Sequence, residues 1–273
     1  MVSSHTSAAI AQTVFYTPAV PVTLYILVRN WNHGPKMAWY PLFAFALIRL
    51  VGGIIVIVLG SDPRSYDLSV VAVVLLNVGL IPLIVSTLFL VRLVFNSSLP
   101  FKKWAHTILK ILRIDILIAI ALLITGGSIL GNPDNAAASR ACGIAGYFNL
   151  FGIIIVLVGL LVYLRVHKRE ISSTDHVYAY WVFFSMPPLL LRAVYGILYS
   201  VTASSADTLT TIWNPLFGSA TAFALMALMP EYLVLCVYMY LGFHRRRTAA
   251  GPDEARADRA SDEPLTFPTP EGE

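Results

Sequence analysis

The chain has 273 residues, 57% of them hydrophobic and only 12% charged, with a formal net charge of +4. That charged share is about half the ~25% of an ordinary soluble domain, which excludes a conventional water-soluble globule. The basic residues stand at the ends of apolar stretches rather than in one patch, so the positive balance does not indicate a nucleic-acid partner.

Seven apolar stretches follow one another, each near the ~20 residues that carry a helix across ~30 Å of hydrocarbon, where only helices or closed barrels satisfy their own backbone. The first, Ala8–Val28, is preceded by Met1–Ser7, which has no Lys or Arg. It lacks the charged start of a cleaved signal peptide and is expected as a retained helix. The second, Ala38–Gly60, carries Arg49 near its middle and the pair Gly52-Gly53, which permits close helix approach. The third, Val70–Leu93, holds Asn77 and Pro82; the fourth, His106–Leu130, holds Asp115; the fifth, Gly143–Val166, holds Asn149. The two asparagines are expected to hydrogen-bond between helices. The sixth, Val177–Val201, contains Pro187-Pro188 and Arg192, and the seventh, Trp213–Phe243, contains Pro230-Glu231. The expected fold is an all-α polytopic membrane protein of seven transmembrane helices over residues 1–243, with a disordered cytosolic tail over 244–273. From Thr248 onward the tail is acidic and proline-rich, too poor in apolar residues to offset its ordering entropy.

Lys and Arg alternate between connections. The first has Arg29 and Lys36, the third Lys102 and Lys103, the fifth Arg165, Lys168 and Arg169, and the tail opens Arg245-Arg246-Arg247. The second and fourth offer Arg64 and Arg140, the sixth none. The positive-inside rule then places the N-terminus outside and the C-terminus in the cytosol, in a plasma membrane or endomembrane. Trp31, Trp39, Tyr40, Trp104, Trp213 and Tyr240 are expected as interfacial aromatics. Arg245–Arg247 reads as an anchor to membrane lipids.

Stretches two and six match around their arginines, Ala46-Leu47-Ile48-Arg49-Leu50-Val51 beside Leu189-Leu190-Leu191-Arg192-Ala193-Val194. Stretches three and seven match at Leu80-Ile81-Pro82 and Leu228-Met229-Pro230, at nearly the same separation. The pattern suggests a 3+1+3 parallel repeat, a plan that places a carrier's site at the repeat interface near the midplane.

Ionisable groups deep in a bilayer are costly and face a bundle interior or a wet cavity. Arg49, Arg192, Glu231 and Asp115 make two cations and two anions that would neutralise one another. They are read either as a charged cavity for a substrate or proton, or as structural pairs of Arg49 or Arg192 with Glu231. At helical spacing Trp181, Ser185, Pro188, Arg192, Tyr195 and Tyr199 share one face, which should turn inward, with Val182, Phe183, Leu190 and Leu191 elsewhere. Pro82, Pro187, Pro188 and Pro230 remove backbone donors at mid-membrane, and the freed carbonyls need partners there. The candidate substrate-binding residues are therefore Glu231, Arg192, Arg49, Asp115, Tyr195, Tyr199, Trp181 and Ser185.

No Lys occurs in stretches five to seven, which excludes a retinal Schiff base of the usual kind. Receptor signatures are missing too: Val91-Arg92-Leu93 closes stretch three, and Pro230-Glu231-Tyr232 stands in stretch seven. No phosphate loop, paired metal-binding histidines or nucleophile elbow is present, so no metal or cofactor is expected. Cys142 and Cys236 fall at different depths and read as two buried thiols rather than a disulfide.

Leu191-Arg192-Ala193-Val194-Tyr195, Met229-Pro230-Glu231-Tyr232 and Tyr240-Leu241-Gly242 resemble a family of fungal seven-helix membrane proteins of unknown function, over Ala8–Phe243. More distantly the layout is similar to the fungal lipid-translocating exporter family linked to toxicant resistance, without its fuller motifs. The resemblance implies a fungal source and assigns no site residue. The leading reading is a protein that binds or translocates a lipophilic or amphipathic small molecule through a charged, aromatic-lined cavity. One alternative is a membrane-embedded enzyme of fungal secondary metabolism, terpene-cyclase-like. In it Glu231 or Asp115 would protonate an olefin or epoxide, with Tyr195, Tyr199 and Trp181 shielding the cation. The other alternative is a seven-helix receptor.

Overall fold

The computed structural model describes residues 4–31, 36–61, 66–99, 102–129, 135–167, 173–202 and 211–249. These residues are helical almost throughout and contain no strand. The helices are α1 (Ser4–Arg29), α2 (Lys36–Ser61), α3 (Tyr66–Val78), α4 (Leu80–Ser98), α5 (Lys103–Ser128), α6 (Ala136–Val166), α7 (Ser173–Phe184), α8 (Met186–Thr202), α9 (Ala220–Phe223) and α10 (Met229–Ala249). A π-helical turn, Ala224–Leu228, joins α9 to α10 without a break.

Among the described residues, six stretches are long and apolar enough to cross a membrane: His5–Arg29, Ala38–Gly60, Val71–Ser98, Ala137–Val166, Asp175–Thr202 and Ala220–His244. The chain is a membrane-embedded, multi-pass helical protein. The stretch expected as span four forms α5, but it is not among those six. Span seven was expected from Trp213, and its helix starts only at Ala220. The reason is local. Asn214 Oδ1 accepts from the Leu216 and Phe217 amides at 2.9 and 3.1 Å, and Ser219 caps α9 by accepting from Ala222 N at 3.3 Å. Pro215 and Gly218 complete a tight turn that His5 Nε2 ties to α1 through the Gly218 carbonyl at 2.7 Å. At the other end α10 continues past Phe243 to Ala249. Residues 250–273, most of the expected tail, lie outside the described residues, as do Arg64 and Lys168.

Three of the rods are interrupted, each shortly before a proline. Gly79 separates α3 from α4 ahead of Pro82, Ser185 separates α7 from α8 ahead of Pro187-Pro188, and the π turn precedes Pro230. A proline ring clashes with the carbonyl four residues back and cannot donate. Proline alone is not sufficient, because α1 runs unbroken through Pro18 and Pro21. At the three interruptions a second feature adds to it: a glycine, a second proline, or a widened turn.

Gly52 and Gly53 do permit close approach. A Cβ on Gly53 would stand 2.7 Å from Thr13 Oγ1 of α1. Of the expected interfacial aromatics, Trp31, Tyr40, Trp104 and Tyr240 are exposed, whereas Trp39 is 1% exposed and belongs to the core. It packs beside Gly242, whose missing side chain leaves room for the indole. Cys142 and Cys236 are both free, half-buried thiols.

Candidate functional site

The three interrupted rods meet at one buried ion cluster. Arg49 from α2, Arg192 from α8 and Glu231 from the first turn of α10 are each 0% exposed. Arg192 Nε donates to Glu231 Oε1 at 2.5 Å, and Arg49 Nη2 reaches both carboxylate oxygens. One acid therefore serves two guanidiniums.

Backbone features of the breaks hold the cluster in place. The Arg49 guanidinium lies against Gly79, where a Cβ would come within 2.8 Å of Nε. Arg192 Nη2 donates to the Leu76 carbonyl at 3.1 Å. That carbonyl belongs to the last turn of α3, whose terminal carbonyls lack helical partners. Gln12 Nε2 donates to the Arg49 carbonyl at 2.6 Å, fixing α1 to the same level of α2. Above Arg192, Tyr147 enters the space left by Gly196, where a Cβ would stand 2.1 Å from its ring. Its hydroxyl donates to Asn77 Oδ1 at 2.9 Å.

Several polar atoms of this centre are buried without a hydrogen-bond partner among the described residues: Arg49 Nε and Nη1, Arg192 Nη1, the Tyr16 hydroxyl and, on the acceptor side, Glu231 Oε2, which Arg49 Nη2 meets only as an ion pair. Buried polar groups are paired in the great majority of cases, so three guanidinium nitrogens left over against one carboxylate oxygen leave donors in excess at this centre.

The other expected site residues are distributed differently. Asp115 does not join the cluster. It sits on α5 and accepts from Asn149 Nδ2 of α6 at 3.0 Å, so the four-group neutral set expected from the sequence does not form. Its face turns to α6. Both asparagines do bond between helices, as expected. Tyr195 is at the centre, with the Arg192 Cζ 5.6 Å from its ring and its hydroxyl donating to the Trp213 carbonyl at 2.9 Å. Tyr199 lies a turn further along α8 and is partly buried. Ser185 belongs to a separate hydroxyl cluster, donating to Tyr238 at 3.1 Å while Tyr238 also bonds Thr87. Trp181 packs with Tyr240 at 5.3 Å between ring centres. The expected inward stripe of α7–α8 is thus largely buried, but it is split between two layers. Val182, expected on another face, is buried as well.

Residues that the sequence reading missed are Gln12, Tyr16, Gly79, Tyr147 and Gly196. Only Gly79 and Gly196 carried a signal: a glycine shortly before a proline, and a glycine one turn past Arg192.

Beside the cluster, an apolar groove of about 360 Å³ opens between α8 and α10, walled by Pro187, Pro188 and Leu191 on one side and Met229, Pro230 and Leu233 on the other.

A buried two-to-one arginine–carboxylate cluster, seated where three membrane helices meet near their irregular turns, is the defining centre of this multi-pass protein. The chain belongs to the family described as a domain of unknown function (DUF7702), whose profile matches residues 2–248. No curated protein and no solved structure matches it.

Proposed function

We propose that this protein binds or translocates a lipophilic or amphipathic small molecule at the Arg49–Glu231–Arg192 centre. The observation that carries this reading is the convergence of three interrupted helices on one buried ion cluster with unused donors. Irregular turns in membrane helices are tolerated where protein or a site satisfies the loosened backbone, and carriers often place their mid-membrane sites at such irregularities.

In this reading α5 is a seventh span. Its 26 residues would extend ~39 Å at 1.5 Å per residue. Its outward side presents Ile111, Ile114, Leu117, Ile118 and Ile124, all exposed, a face suited to lipid. The N-terminus lies outside, and the basic connections contact anionic lipids on the cytosolic side. The matching arginine and proline segments are taken as halves of a 3+1+3 repeat, and both arginines converge on the single Glu231.

The acid-initiated enzyme reading gains no comparable support. Asp115 is engaged by Asn149, and Trp181 and Tyr195 lie in separate aromatic groups, with Tyr240 and with Trp213.

The test is a panel of uncharged, anionic and cationic amphipaths titrated into the full chain in nanodiscs. At least one should raise the melting temperature in proportion to the logarithm of its concentration above its dissociation constant, and the shift should shrink in Arg192→Gln. A panel that shifts nothing, or shifts Arg192→Gln equally, would rule the reading out.

A further inference from the structure

The excess charge of the centre says more about what it would hold. Two guanidiniums face one carboxylate, all three fully buried, so by formal charge and among the described residues the cluster carries one positive charge in excess. Asp115, the other acid expected within the spans, bonds Asn149 on α6 and not the cluster. Tyr147 and Tyr195, the described side chains beside Arg192, are neutral in their ordinary protonation state. A lone positive charge away from water is costly unless an anion accompanies it. Three guanidinium nitrogens, Arg49 Nε and Nη1 and Arg192 Nη1, have no hydrogen-bond partner among the described residues, and planar guanidinium forks match carboxylate-type oxygens.

The groove supplies the second half. Its walls are almost wholly apolar, and Leu191, Met229 and Leu233 on its rim are exposed on the outer face of the bundle. Pro188 lies one helical turn before Arg192, and Pro230 immediately precedes Glu231, so the seam between α8 and α10 carries groove and cluster together. Both helices are interrupted along this seam, at Ser185 and at Ala224–Leu228.

We infer that the molecule held here is an amphipathic anion, its carboxylate-type head taken by Arg49 and Arg192 and its hydrocarbon chain lying in the groove between α8 and α10. This inference rests on the reading of the centre as a small-molecule site and names the ligand's class. Entry is lateral, from the bilayer, because the groove faces outward while the charges face inward. With the head bound, the cluster becomes neutral and the unused donors acquire partners.

The experiment uses the full chain in nanodiscs of zwitterionic phospholipid and radiolabelled dodecanoate at pH 8, with binding to empty discs subtracted. Dodecanol, dodecylammonium and acetate serve as competitors. Dodecanoate should bind saturably, the alcohol and the amine should compete at least tenfold more weakly, and acetate should not compete in the same range. Leu233→Trp, a change at an exposed position that fills the groove, should weaken dodecanoate at least tenfold, and Leu225→Trp on the same groove should do likewise. Dodecanol equal to dodecanoate would overturn the anionic head while leaving a small-molecule site standing. Acetate equal to dodecanoate, or unchanged binding in both tryptophan variants, would overturn the groove. Failure of all three twelve-carbon compounds to bind would overturn both readings together.

Discussion

The guanidinium of Arg49 occupies the place where a side chain on Gly79 would stand: a Cβ built there meets Nε, Cζ and Nη2 at 2.8–2.9 Å. The backbone at Gly79 is ordinary right-handed helix, φ −54° and ψ −30°, so the glycine is required by space and not by conformation. Long side chains usually swing aside from such a contact. This one is held by Glu231.

Gly79→Ala therefore sets two effects against each other. Alanine gains about 0.5–1 kcal/mol of helix propensity, while overpacking a held group costs about 1–3 kcal/mol. The clash should win, giving a net loss in the unfolding midpoint. Gly196→Ala should be worse, because the Tyr147 ring stands 2.1 Å from the added atom. Gly152→Ala meets nothing within 4 Å and should be neutral or mildly stabilising. Equal midpoints for all three variants would show that the centre is loosely packed.

Much of this centre was legible from hydropathy alone. A charge inside an apolar run is conspicuous, and so is a proline, so Arg49, Arg192, Glu231 and the three interruptions could be read along the chain. What a helix faces is another matter. Asp115 lies deep in its stretch like the others, yet its partner is Asn149, because rotation about the helix axis is set by neighbours that the sequence does not identify. Trp181 and Ser185 share a helical stripe with Arg192, but the break at Ser185 separates their layers. Uncharged contributors such as Gln12 and Tyr147 carry no signal in an apolar stretch. The start of the last helix was misplaced because Trp213–Phe217 is apolar enough to pass for helix, while the Asn214 turn forbids it.

Asn96-Ser97-Ser98 is an N-glycosylation acceptor by sequence. The proposed orientation, with the N-terminus outside, puts it on the cytosolic side. Both serine hydroxyls also donate to Asp175, from Ser98 at 2.5 Å. No glycan is expected at Asn96. A glycosidase-sensitive mobility shift that disappears in Asn96→Gln would reverse the orientation.

Truncation after Thr248 should leave the bundle intact. The segment it removes is acidic and proline-rich, with too little apolar surface to pack. The expected outcome is a monodisperse peak at unchanged melting temperature. A lost peak with normal membrane insertion would mean that the tail docks on the helices.

The charge balance of the centre predicts an order among its variants. Arg192→Gln leaves Arg49 and Glu231 as a matched pair, so the expected loss is the ~1–3 kcal/mol of a hydrogen bond to a charged group. Glu231→Gln leaves two guanidiniums buried together without a counter-ion, and should cost about 3–5 kcal/mol or prevent folding. A simple bridge between Arg192 and Glu231 would be relieved by changing both. Because Arg49 reaches the same carboxylate, the double variant still buries one bare charge and should not recover. Recovery should require Arg49→Gln, Arg192→Gln and Glu231→Gln together, which restores stability and abolishes any binding that depends on the arginines. Unfolding midpoints in one detergent would rank the series. An Arg192→Gln protein less stable than Glu231→Gln, or a double variant at wild-type stability, would mean that Glu231 balances Arg192 alone and that the centre holds no spare positive charge.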